Sequence, residues 1–416
     1  MSDNKASFDK HIGALDGIRA YAIIIVVWYH LWQQNWMSPY ITFNNSFTKY
    51  LGITEIPLAS VVRYGFNSVD ILVFLSAFCN FLPYMRSIVL GEKWPNAKEF
   101  FIKRLARIAP SYYLALGVSI VISIIQGDYV GRIGFGVLDI LSHLLFVSPF
   151  FKHSVLLTPL NAVVWTVEIE VLFYLVIPVI AKLFKKAPVV TYMLMLVTGM
   201  LVNNVIRYNF TSNIRSYVNW PLTFLVVYAN GLLACYLLVY LKSVTDENNI
   251  TIKLCFTIIS LISFVLLIKL MISVGSGEDM QLNQLSIRLM SSFSCALFVI
   301  STCLAGVGYQ KIFSNRITKY ICFISYNLYL WHQYVFAKMV QWRIPDYVGD
   351  ENPAWSGNRR WQWSYTMMAV TDVIIIAVVV TLFFEIPIKN FIIKKYKKWN
   401  KNRVTLKEKK QCLDQY

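Results

Sequence analysis

The sequence predicts an all-α integral membrane protein, a polytopic bundle of about ten transmembrane helices. Three observations carry that prediction. First, 57% of its 416 residues are hydrophobic and 15% are charged, whereas a soluble domain carries about 25% charged residues. Second, the mean hydropathy is +0.53, and the apolar residues come in blocks of about twenty, the length of a helix that crosses a bilayer. Third, basic residues gather in the short connections between alternate blocks, as they do on the cytoplasmic side of membrane proteins.

In order, the blocks are 18–37, 69–89, 111–127, 162–183, 188–206, 219–241, 251–273, 288–308, 320–341 and 365–393. An eleventh apolar stretch, 135–151, is short and contains Asp139 and His143. Counting it as a span would carry Lys182, Lys185 and Lys186 to the outer side, against the positive-inside rule. It is therefore expected at the outer interface, or re-entering from it. Ten spans place both termini in the cytoplasm, together with the basic clusters at 86–107, 182–186, 311–319 and 389–410. The first block has no small-residue cleavage site after it and reads as an uncleaved anchor. Trp355, Trp361 and Trp363 are expected in an outer aromatic belt. One membrane domain, 1–398, is expected, followed by a basic cytoplasmic tail, 399–416.

The formal net charge of +17 would suggest nucleic acid in a soluble protein. Here the excess sits in loops and the tail, where topology and anionic lipid headgroups account for it. Membrane lipids are the expected partners, and nucleic acid is not. The seven cysteines are scattered, without a CxxC pair, so neither a disulfide framework nor a metal site is expected. No GxSxG, P-loop or HExxH occurs in a usable context, which removes the serine-hydrolase and nucleotide-hydrolase readings.

Polar residues inside the blocks mark the candidate site, because each is expensive in lipid. Arg19 and His30 are eleven residues apart. At ~100° per residue that is about 20° past three turns, so they share a helix face, ~16 Å apart along the axis. Glu168 and Glu170 fall in the outer third of 162–183, Asp70 opens the second block at its outer end, and His332 lies in the middle of 320–341. Arg104 and Arg107 lie with Arg19 at the inner end. The expected arrangement is thus a cationic inner rim suited to a phosphate-bearing ligand. Above it lies an outer layer of His30, His332, Glu170 and Asp70, in which a histidine beside a carboxylate suits general base work.

Six stretches of the chain are similar to motifs of one family. LDGIRAYAIIIVVWYH resembles the opening of acyltransferase family 3, with its Arg-x10-His signature on Arg19 and His30. GFNSVDILVFLSAF (Asp70, Ser76), KRLARIAPSYY (Arg104, Arg107, Pro110), WTVEIEVLFY (Glu170), ISYNLYLWHQYVF (Tyr329, His332) and FFEIPIKN (Glu385, Pro387) follow in the family's order, from Leu15 to Pro387. Three positions depart: Ala77 and Ser68 stand where glycines are usual, and Val171 replaces the second glutamate of a pair.

The resemblance implies an O-acyltransferase of a bacterial cytoplasmic membrane. Its donor substrate would be cytoplasmic acyl-CoA, acetyl-CoA by default. Its acceptor would be a hydroxyl of a surface polysaccharide or a lipid-linked glycan, handled by the bundle or its outer loops. Arg19, Arg104 and Arg107 would hold the donor's phosphates. His30 would deprotonate the acceptor or carry the acyl group, Glu170 would orient a histidine, and His332 would bind acceptor, assist proton transfer or serve structure. Asp70, Ser76 and Tyr329 complete the family's site. A glycan or lipid flippase, and an O-acyltransferase of a small lipophilic molecule, are the alternatives.

Overall fold

The computed structural model describes residues 12–37, 40–42, 55–246, 249–276 and 279–413. They form a helix bundle of the expected class. The long helices are α1 (Gly13–Asn35), α2 (Ser68–Leu90), α3 (Ala97–Ile125), α4 (Ile133–Leu144), α5 (Val164–Lys186), α6 (Pro188–Asn209), α7 (Leu225–Val244), α8 (Ile250–Ser273), α9 (Met280–Leu304), α10 (Arg316–Gln341), α11 (Arg359–Val380) and α12 (Ile386–Leu413). A two-stranded antiparallel ribbon, Tyr40–Thr42 with Glu55–Pro57, is the only sheet among the described residues.

Eight described helical segments are long and apolar enough to cross a membrane. The chain is therefore an integral membrane protein. Helices α5 and α10 stand in the places of two further expected spans, with 23 and 26 residues, and carry the site glutamates and His332. Helix α4, at 12 residues, is ~18 Å long and too short to cross. It turns Asp139 and His143 inward, both buried, and leaves Val137, Leu138 and Leu141 exposed. Burial pushes the His143 imidazole below its usual pKa, against the opposing pull of Asp139. The ring's Nδ1 donates to the Asp139 carbonyl at 2.8 Å.

Burial divides the bundle. Helices α2, α7 and α9 are mostly enclosed, whereas α6 and α8 present apolar side chains outward over most of their surface. Leu254, Ile258, Ile262 and Val265 of α8 are all exposed, a face that suits lipid rather than water. Three basic clusters meet at one end: Lys185 lies over the Trp94 ring, 5.0 Å from its centroid, and Lys98 over Trp399 at 4.0 Å. The proposed tail boundary at 398/399 falls inside α12, whose backbone is helical through Leu413.

Helix α1 runs beside α2 and α10, and its Gly17 packs closely on the end of the short helix Val307–Phe313 that precedes α10. A Cβ added to Gly17 would lie 2.0 Å from the Phe313 carbonyl oxygen. Gly17→Ala is expected to cost about 1–3 kcal/mol through this overpacking, read as a lower thermal midpoint in detergent. An unchanged midpoint would show that the contact relaxes freely. The departure at Ala77 is also resolved here. Its Cβ faces Gly231 of α7, where an added Cβ would meet it at 2.8 Å, so the close α2–α7 approach is kept by a glycine on the partner helix.

The last span breaks at one π turn, Thr381–Glu385, just before Pro387. Proline lacks the N–H that would continue the helical ladder, and π turns absorb such mismatches. Asn327 of α10 holds the turn, its Nδ2 donating to Thr381 Oγ1 and Glu385 Oε2, both at 2.8 Å.

Candidate active site

Two cavities of the bundle, one above the other along α1, carry predicted site residues. The first, about 110 Å³, is bounded by α1, α2, α3, α5, α7 and α10. Arg19, Arg104 and Arg107 line it together with Glu170 and Ser76. The second, about 350 Å³, lies toward the C-terminal end of α1 and is lined by His30, Asp70, Trp165 and Gln284 among others. Val69 and Tyr329 belong to the walls of both. The shared face of α1 thus serves two chambers, Arg19 in one and His30 in the other, as the spacing requires.

The arginine cavity is more ordered than the sequence indicated. Arg104 donates from Nη2 to the Cys79 carbonyl at 3.2 Å. The Glu170 carboxylate sits among them. Its Oε1 accepts from Ser76 Oγ at 2.5 Å and, more closely, from the Tyr174 hydroxyl. Asn80 Nδ2 then donates to Ser76 Oγ at 3.1 Å. Glu170 therefore faces the arginines and hydroxyls of the first cavity and contacts neither histidine. The expected grouping of Glu170 with the outer layer is corrected on this point: position along α5 alone says nothing of which cavity a side chain enters, and Glu170 enters that of the arginines.

Glu168 is fully buried elsewhere. It accepts from the Tyr112 hydroxyl at 2.7 Å and from Ser148 Oγ. These bonds tie α5 to α3 and to the turn after α4, a structural use of the carboxylate.

The two histidines meet, although 302 positions separate them in sequence. Their ring centroids are 5.0 Å apart. His332 Nδ1 lies 2.6 Å from the Tyr329 carbonyl oxygen. A carbonyl only accepts, so this Nδ1 carries the proton and Nε2 is left as a lone pair. That Nε2 is buried without a hydrogen-bond partner. His30 Nδ1 pairs with Gln33 Oε1 at 2.8 Å, while Gln33 Nε2 donates to the Tyr29 hydroxyl at 2.8 Å. The amide oxygen also only accepts, so the neutral His30 ring likewise presents Nε2 as its base. The orienting group beside His30 is an amide one turn along α1, not a carboxylate.

Asp70 has a partner that sequence reading missed. Arg288 of α9, with no exposed surface, donates from Nε to Asp70 Oδ2 at 3.1 Å. Its Nη1 donates to the Val218 carbonyl at 2.9 Å and to Thr223 Oγ1 at 2.8 Å, and its guanidinium lies 4.1 Å from the Phe224 ring centroid. The buried pair fixes α2 to α9 and to the segment before α7.

The site is thus a histidine pair above an arginine-lined cavity, inside a polytopic membrane bundle. Comparison with known proteins narrows this. The acyltransferase-domain profile of family 3 matches residues 12–389, and the chain belongs to that family of acyltransferases. It is 24% identical over 371 residues to a provisionally named O-acetyltransferase of Staphylococcus aureus (strain COL), covering 82% of this chain and 54% of that protein. It is 27% identical over 191 residues to the peptidoglycan O-acetyltransferase OatA of Listeria monocytogenes, covering 42% and 25%. A provisionally named acetyltransferase of Acidianus two-tailed virus is 25% identical over 332 residues, covering 78% and 83%. The chain spans about half the length of the staphylococcal relatives. No solved structure matches it.

Proposed function

We propose that the protein is an O-acetyltransferase of a bacterial cytoplasmic membrane. It takes an acyl group, acetyl by default, from acyl-CoA on the cytoplasmic side and delivers it to a glycan hydroxyl on the other. The observation that carries this reading is the pair of cavities separated by Val69 and Tyr329. Three guanidiniums in one suit a donor rich in phosphate. His30, which lines the other beside the buried His332, suits activation of a hydroxyl.

In this mechanism the donor's phosphates rest on Arg19, Arg104 and Arg107, and its thioester reaches past Tyr329. His30 Nε2 takes the proton of the acceptor hydroxyl as that oxygen attacks the thioester carbonyl. The C–S bond breaks, and the His30 imidazolium returns the proton to the departing thiolate. The buried Nε2 of His332 stabilises the protonated ring by sharing its charge. Glu170, held by Ser76 and Tyr174, keeps the arginines spread toward the donor.

Release of free CoA thiol from acyl-CoA by the purified protein, with the ester recovered on glycan, tests the reading. Movement of a glycan without thiol release would point instead to a flippase. Arg19→Ala and Arg107→Ala are each expected to remove a charged hydrogen bond of about 1.5–3 kcal/mol. That is roughly a ten- to hundredfold loss of apparent acyl-CoA affinity. Unchanged affinity in both would remove the phosphate role.

A further inference from the structure

We propose that the outer cavity is the acceptor site and that it takes one sugar unit bearing an acidic group. The inference rests on the acyl-transfer reading and adds to it the chemistry of the acceptor. The cavity's volume, about 350 Å³, lies within the ~300–1,000 Å³ of small-ligand sites. Its polar lining includes four amides, Asn219, Gln281, Gln284 and Gln333. Each amide offers both donors and an acceptor, which matches a hydroxyl that does both. Val69, Ala162, Val163, Val218 and Met280 supply the aliphatic part of the wall.

Three further features fit a pyranose ring. Trp165 stands in the wall, backed by Phe224 at 5.9 Å between centroids, and an indole covers the C–H face of a sugar. Asp70, 8% exposed, spends Oδ2 on Arg288 while Oδ1 is buried without a partner. Arg215 lines the cavity from an exposed position and makes no ion pair among the described residues. A free guanidinium at the edge of an amide-lined site recognises a carboxylate or a phosphate in fork geometry. His30 lines the same cavity, so a sugar seated there places a hydroxyl beside the base.

The test uses the full-length protein in nanodiscs, labelled acetyl-CoA, and envelope glycan from the cells that make it. The glycan is supplied native, carboxyl-reduced, or stripped of phosphate with hydrofluoric acid. With native glycan, Arg215→Gln and Trp165→Ala are each expected to raise the half-saturating acceptor concentration about tenfold, the worth of one good contact. Half-saturation by acetyl-CoA should stay at its wild-type value, and Arg215→Lys should recover part of the loss. One of the two stripped glycans should behave with wild-type protein as native glycan does with Arg215→Gln, and which one identifies the acidic group. Transfer that is indifferent to both strippings, or an unchanged acceptor dependence in both variants, overturns this inference while leaving acyl transfer intact. No thiol release by the wild-type protein overturns the acyl-transfer reading, and this inference with it.

Discussion

Replacing His30 with alanine is expected to lower acyl transfer by at least ~10²-fold, the lower end of what a positioned general base contributes, with acyl-CoA binding retained. The expectation follows from placement. His30 lines the outer cavity and Arg19 the inner one, so the substitution removes the base without touching the cationic donor pocket. Steady-state transfer and equilibrium binding of acyl-CoA, measured on the same preparation, separate the two effects. A near-wild-type rate would move the chemistry to His332, whose unpartnered Nε2 is the other base in reach. Loss of donor binding would mean that His30 organises the bundle instead.

The second large effect is expected at Arg288. Removing one member of a buried ion pair leaves the other charged and unpaired, at a cost of about 3–5 kcal/mol. Arg288→Met should therefore lower the thermal midpoint in detergent sharply. Asp70→Leu combined with Arg288→Met should recover most of that stability, since a buried pair and a well-packed apolar pair of similar volume are often equivalent. A single variant that melts like wild type would contradict the full burial of Arg288. A double variant as unstable as the single would shift the burden to the bonds from Nη1 to Val218 and Thr223.

How far the chain could be read depended on which physical signal each residue carries. The long helices were legible because hydrophobic block length is set by bilayer thickness. The common face of Arg19 and His30 was legible because helix periodicity is fixed. The meeting of His30 with His332 was foreseen only as a shared depth. Contact across 302 residues depends on how α1 packs against α10, and no local pattern encodes that. Glu170 illustrates the same limit, since its height along α5 did not tell which chamber it enters. Arg288 was missed for a boundary reason. The apolar block begins at residue 288, which leaves the arginine at its very edge. The helix begins at Met280, two turns earlier, and carries Arg288 into the interior. Gln33 was missed although a signal existed: it lies three residues after His30, within side-chain reach on one helix.

The wall that Val69 and Tyr329 share has an electrical consequence. Polar cavities above and below a thin apolar layer concentrate a membrane potential across that layer, as two plates narrow the gap of a capacitor. Each elementary charge that crosses 100 mV exchanges about 2.3 kcal/mol with the field. The histidine pair stands at the edge of this gap, so a proton held on either ring samples part of the membrane voltage. On the acyl-transfer reading proposed above, any charge carried between the two chambers would meet most of its electrical cost at Val69 and Tyr329.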